Sequence, residues 1–220
     1  DLLLATCSGA LRQYLAGHHE LPKRSLVAAV PLSLRESGES AAGNQVTMLP
    51  CPLGTDQKTP RARLAAIQAG MTKVKGTKTS FRDLIPTDYP SLGSPWLMSG
   101  LAQLYARTRL ADRIPLPANL VISNVPGPPV TLYLAGARMT TYFPVSIVVH
   151  GLALNITVHS YDGKLHLGLI ACRKNVPDLQ KLVSALYESF DELKAMAASE
   201  LSAATPRPGA RPAGKRRKPR

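Results

Sequence analysis

One dipeptide constrains this chain more than any other feature: Asp162-Gly163, set between two runs of alternating apolar residues. A two-residue type I′ turn needs positive φ at both central positions, and Asp-Gly is a pair that supplies it. Pairing Tyr161 with Lys164 then places Val158 opposite Leu167, Ile156 opposite Leu169 and Leu154 opposite Ala171. All of these fall on one face. A slip by one residue would turn the whole set to solvent, so turn chemistry and pattern specify the same register. The other face carries Asn155, Thr157 and His159, with His166 across from His159. The two imidazoles have no third ligand in view, and no metal site is expected.

The same alternation argues against a membrane span. Met139–Tyr161 runs for 23 residues without Asp, Glu, Lys or Arg, long enough to cross a bilayer. Its period is two, however, and Pro144, His150, Gly151, Asn155, Thr157 and His159 interrupt it.

Asn119–Pro129 reads NLVISNVPGPP. Leu120, Val121 and Ile122 are a short apolar run closed by turn-formers, the pattern of a strand buried on both faces. Ser123 and Asn124 stand where that strand should end, aimed in one direction. Val125 precedes a proline and is biased to extended geometry. Pro126, Pro128 and Pro129 lack a backbone donor and fix φ, while Gly127 is free to turn. A stiff, non-helical exit is expected.

SNVPGPP, followed by LYLAGARM and by ALNITVHSYDGKLHLGL, resembles the second half of the bacterial wax ester synthase / diacylglycerol O-acyltransferase family. The resemblance runs from Asp1 to about Ala198. It implies the CoA-dependent acyltransferase-like fold, which is built from two related α/β halves. The family's catalytic His-His-x-x-x-Asp-Gly belongs to the first half. The motif implies Ser123 as an oxyanion or cleft donor, and Asn124, Val125, Pro126 and Gly127 as wall of the substrate channel. Asp1 matches the second member of the family's Asn-Asp pair; read by itself, it is a helix cap.

The rest of the chain reads as alternating strands and helices. Asp1–Ala16 is an amphipathic helix with Leu4, Cys7, Leu11 and Tyr14/Leu15 on one face and Gly17 as its stop. His18-His19 begins HHELPKR, but Lys23 and Arg24 stand where the motif has Asp and Gly, so the pair reads as a solvated loop. Ser25–Leu34 and Asn44–Leu53 are strands, the second held to an edge or ended early by Pro50 and Pro52. Thr59-Pro60 starts a helix with Leu64, Ile67, Met71 and Val74 as its stripe and Gly76 as its end. Leu92–Leu110, with Trp96, Leu97, Leu101, Leu104 and Tyr105, reads as helix that packs as core or walls an acyl channel. Asn175–Met196 is a further helix capped by Asn175, with a stripe of Leu179, Leu182, Val183, Leu186, Phe190 and Leu193. The fold class is therefore α/β, a mixed sheet with helices packed on it, and the resemblance implies the CoA-dependent acyltransferase-like two-layer sandwich, the second half only.

With 220 residues and 45% hydrophobic content the chain can bury a core. It does not begin with Met, and its first residues read as helix interior, so an excerpt of a longer protein is expected. Cys7, Cys51 and Cys172 form no CxxC pair and are expected to be free thiols in a reducing compartment. No signal peptide is read. The net charge is +13. Seven of the 27 basic residues lie in Thr205–Arg220, which has no acid; the other 20 face 14 acidic residues. The expected division is a domain over 1–200 and a disordered, proline-rich basic tail over 201–220.

Gln57–Arg82 also has seven basic residues and no acidic one. Arg61, Arg63, Lys73, Lys75 and Lys78 are read as an anionic-surface contact, each worth about 1 kcal/mol near a charged bilayer, or as a solvated helix face. No Walker motif is present. The resemblance implies an O-acyltransferase that moves a fatty acyl group from acyl-CoA, a co-substrate, to diacylglycerol or a long-chain alcohol, with no other cofactor. The implied partners are the N-terminal catalytic half and a peripheral anionic membrane or lipid-droplet surface, in the cytoplasm. The competing readings are a non-catalytic lipid-surface or partner-binding remnant and, from the basic tail alone, a nucleic-acid binder without sequence preference.

Overall fold

The computed structural model describes residues 1–33, 46–82, 100, 103, 117–148 and 151–204. Five strands form one sheet: β1 (Val27–Ser33), β2 (Val46–Pro52), β3 (Leu120–Val125), β6 (Leu154–Tyr161) and β7 (Lys164–Ala171), in the order β2-β1-β3-β6-β7. β1 runs parallel to β3 and β3 parallel to β6, while the outer strands are antiparallel to their neighbours. A small hairpin, β4 (Tyr133–Leu134) and β5 (Ala137–Arg138), stands apart from this sheet. The helices bounded among the described residues are α1 (Leu2–Gly17), α2 (Pro60–Arg82) and α3 (Leu179–Ala204).

Local chemistry explains most of these elements. Asp162 and Gly163 have φ of 48° and 74°, the type I′ geometry their identities favour. The register of β6 and β7 is the expected one, including Ile156 opposite Leu169 and His159 opposite His166, and Ile156 is fully buried. β2, with its two prolines, lies on the sheet edge, where a missing donor costs no ladder bond. Thr59 caps α2, its Oγ1 accepting from Ala62 N at 3.3 Å. Leu120, Val121 and Ile122 are all buried in the central strand.

Each sheet face has a different cover. Ala28, Cys51, Leu120, Ile122, Leu154 and Ile156 share the core with the three helices. By strand alternation Val121, Ser123, Asn155, Thr157, His159 and Gly168 point the other way. That second face is crossed by the connection from β3 to β6. Asn155 Nδ2 donates to Ser146 Oγ at 3.0 Å and to the Ile147 carbonyl at 2.9 Å. Tyr142 stacks on His159 with centroids 4.0 Å apart. The Pro144 carbonyl lies so close over Gly168 that a Cβ there would collide with it.

Several expectations are corrected. α1 is buried on every side from Leu4 to Leu11 instead of along one stripe, because Ala5, Thr6, Ser8, Gly9 and Ala10 are small enough for neighbours to close in. α2 continues past Gly76 to Arg82; glycine weakens a helix without obliging it to stop. Asn175 caps nothing: it sits in a turn, its N–H donating to the Cys172 carbonyl at 3.0 Å, and α3 begins only at Leu179. The residue before Pro177 is disfavoured in helical geometry, which delays the start. In α3 it is Ser189, not Phe190, that turns inward. Gly9 of α1 lies against the Ser189 side chain and leaves room for nothing larger. Phe190 lies outside under the Lys194 ammonium, 5.7 Å from its ring centroid. The expected helical segment Leu92–Leu110 lies outside the described residues, apart from Gly100 and Gln103. α3 reaches Ala204, and the segment from Thr205 lies outside the described residues.

Candidate functional site

Ser123 sits near the C-terminal end of β3, half-buried, in register with Thr157 of β6. Its hydroxyl makes no hydrogen bond among the described residues, whereas its neighbour Thr157 is committed, Oγ1 donating to Asn155 Oδ1 at 2.9 Å. Asn124 does not point with Ser123, as the sequence reading held. The strand continues to Val125, so the two side chains fall on opposite faces, and Asn124 is exposed on the Leu120–Ile122 side.

The proline-rich exit is tied to the hairpin turn. Gly127 N donates to Ser160 Oγ at 2.9 Å, and Asp162 N to the Pro128 carbonyl at 3.2 Å. Thr131 Oγ1 donates to Asp162 Oδ2 at 3.0 Å. Tyr161 OH accepts from Leu132 N and donates to the Met139 carbonyl, both at 2.8 Å. A Cβ on Gly127 would strike the His159 ring and the Ser160 carbonyl, so only glycine fits there. Asp162-Gly163 thus closes β6 and β7 and also anchors the segment after β3.

That segment carries a run of apolar side chains facing outward. Val130, Tyr133, Leu134, Phe143, Val145 and Ile147 are all exposed, Leu134 at 82% and Val145 at 79%. Arg138, beside them, reaches Asp162 at 3.5 Å.

The other sequence-predicted residues lie elsewhere. Asp1 is the exposed N-cap of α1, with no side-chain capping bond. Arg63 is not a surface contact: its side chain is 4% exposed, with Nη1 donating to the Lys58 carbonyl at 3.1 Å and Nη2 to Glu192 at 3.0 Å. A buried guanidinium bonded to the Lys58 carbonyl before α2 and to Glu192 of α3 does not reach a bilayer. Arg61 pairs with Glu200 at 2.9 Å. The side chains of Lys75 and Lys78 lie outside the described residues. No group of three His, Cys, Asp or Glu able to hold a metal occurs among the described residues. No helix among them is long and apolar enough to cross a membrane. The three cysteines are free thiols, and burial pushes Cys7 up to about 12.

His18 is not the solvated loop residue expected. Its Nδ1 lies 2.8 Å from the Tyr14 carbonyl and its Nε2 3.2 Å from Asp178, 160 residues away in sequence. Both partners are acceptors, so the arrangement suits the doubly protonated ring. The Tyr14 carbonyl chiefly, and Asp178 in addition, raise the His18 pKa. Asp178 is held down to about 2 by Lys181, at 2.6 Å, and by the Tyr14 hydroxyl, at 2.9 Å. Burial, then the Asp178 hydrogen bond, pushes Tyr14 up to about 12. The tie joins the end of α1 to the start of α3. Its His18 contribution to stability is complete below about pH 6.5 and is lost as pH rises through the raised value. Its Asp178 contribution is complete above about pH 4 and is lost as pH falls through the depressed value. Titration of the imidazole by NMR should give a pKa above that of free histidine, lowered in Asp178→Asn; identical values in the two proteins would contradict the pairing.

These features define an α/β domain, a mixed five-stranded sheet with helices packed on it. The model of the WS/DGAT C-terminal domain matches residues 42–194, and the chain belongs to this family. An O-acyltransferase of Acinetobacter baylyi is 39% identical over 200 residues, covering 91% of this chain and 42% of that protein. A Mycobacterium tuberculosis protein designated a diacylglycerol O-acyltransferase is 41% identical over 194 residues, covering 88% and 42%. The solved wax ester synthase/diacylglycerol acyltransferase of Marinobacter aquaeolei VT8 superposes with a TM-score of 0.67 at 32% identity, covering 90% of this chain and 43% of that one. The chain spans about two fifths of the length of the relatives it matches.

Proposed function

We propose that this chain supplies the second part of an O-acyltransferase that moves a fatty acyl group from acyl-CoA to diacylglycerol or a long-chain alcohol. A histidine base on the complementary N-terminal part takes the acceptor hydroxyl's proton, and the alkoxide attacks the thioester carbonyl. Thiolate leaves as the tetrahedral intermediate collapses. Ser123 donates to the oxyanion of that intermediate, while Asn124, Val125, Pro126 and Gly127 wall the channel. Asp1, at the head of α1, takes the place of the second member of the family's Asn-Asp pair. The folded unit extends through α3 to Ala204, four residues past the expected boundary at 200, and the residues from Thr205 act as a basic tail. Arg61, Lys73, Lys75 and Lys78, without the buried Arg63, are the basic groups that contact an anionic membrane or lipid-droplet surface in the cytoplasm.

The observations that carry this reading are Ser123's hydroxyl, without a hydrogen bond among the described residues, and the exposed apolar side chains between Val130 and Ile147 on the segment that follows its strand. An apolar surface of that kind marks an interaction site, and the N-terminal catalytic part of the enzyme is its occupant. The test is assembly. Supplied as a separate polypeptide, that part should co-elute with this chain and not with a Phe143→Asp/Val145→Asp variant. Both side chains are exposed, so the variant's melting should be unchanged. Co-elution undiminished by the two aspartates would contradict the docking. A chain that binds lipid and never assembles would instead be a non-catalytic remnant.

A further inference from the structure

A cavity of about 310 Å³ opens at the end of the sheet where β3 and β6 begin, the opposite end from Ser123. Its floor is six leucines: Leu11, Leu15, Leu26, Leu120, Leu154 and Leu182. Its rim carries His18, Glu20, Lys174 and Asn175. Small-molecule sites run from about 300 to 1,000 Å³ and combine an apolar lining with a few polar groups, as here. At about 30 Å³ for each water-sized group, the space takes about ten heavy atoms.

The charges on the rim indicate the head group. Asp178 is already bonded by Tyr14, Lys181 and His18. Lys174 has no ion-pair partner among the described residues and stands in the turn before α3, whose N-terminal end favours negative charge. Glu20 lies on the rim as well and disfavours an anion on its own side.

We propose that this cavity binds a short aliphatic carboxylate, its chain among the leucines and its head toward Lys174 and Asn175. Binding here does not depend on the proposed acyl transfer. The probe is octanoate, of the size the cavity takes, with octan-1-ol as the neutral comparison. Octanoate titrated into the chain should give saturable NMR shifts at the methyls of Leu120, Leu154 and Leu182, with a dissociation constant of about 1 mM or tighter. Lys174→Ala, on an exposed turn, should weaken octanoate about fivefold and leave octan-1-ol unchanged. Ala153→Trp, which fills the cavity, should abolish both. Since that variant places a large side chain next to the core, Lys174→Ala decides by itself if it fails to fold. Absence of saturable shifts at those leucines, equal affinity for octan-1-ol, or octanoate affinity indifferent to Lys174→Ala would each overturn the proposal.

Discussion

Ser123→Ala, in the enzyme assembled from this chain and its N-terminal complement, should lower kcat by about 10²–10³ and leave the melting temperature nearly unchanged. The kinetic size follows from the role: removing one donor to a developing oxyanion costs about 2.7–4 kcal/mol of transition-state stabilisation. The small structural cost follows from the geometry. The hydroxyl is half-buried and has no hydrogen-bond partner among the described residues, so its loss strands no group. Thr157, its neighbour across the β3–β6 pair, is already bonded to Asn155 and is not free to substitute. The prolines after Val125 and the bonds from Gly127 and Asp162 hold the strand end in place, which a preorganised donor requires. Turnover and melting should be measured on the same preparation. A melting temperature that falls while turnover stays within about threefold, a gap of roughly 0.7 kcal/mol, would reduce Ser123 to architecture.

What could be read in advance, and what could not, divides by range. The β6–β7 register was readable because Asp162-Gly163 and a period of two act within a few residues. So were the cap at Thr59 and the edge position of β2. The opposition of Ser123 and Asn124 follows from the same period once the strand is carried to Val125, past the turn-forming residues that suggest an earlier end. The tie between His18 and Asp178 joins residues 160 apart, and no local pattern announces such a contact. Arg63 shows the same limit: its run of basic neighbours resembles a solvated face, and only the packing of α2 against α3 turns it inward toward Glu192. The inward turn of Ser189 in place of Phe190 likewise depends on Gly9 in another helix. The crossing of the second sheet face by the β3–β6 connection is a topological fact without a motif, although Asn155 and Thr157 on a strand's polar side gave a hint that something polar would meet them.

By itself the chain should transfer no acyl group. Catalysis needs a base with a free ring nitrogen, oriented by a partner, within reach of the acceptor hydroxyl. No histidine among the described residues meets that requirement. His18 has its carboxylate in Asp178, but its other nitrogen is taken by the Tyr14 carbonyl, and it lies at the far end of the sheet from Ser123. His159 is stacked under Tyr142, with Nδ1 buried and unpartnered. His166 has Nε2 buried and unpartnered. His19 is exposed beside His18, in the loop after α1, with a φ of 58°. The most direct measurement is acyl transfer from labelled acyl-CoA to diacylglycerol and to a long-chain alcohol, by this chain alone and with the N-terminal complement added. No product is expected from the chain alone, and sustained turnover from the two together. Turnover by the isolated chain, or an assembled pair no more active than its separate parts, would contradict this.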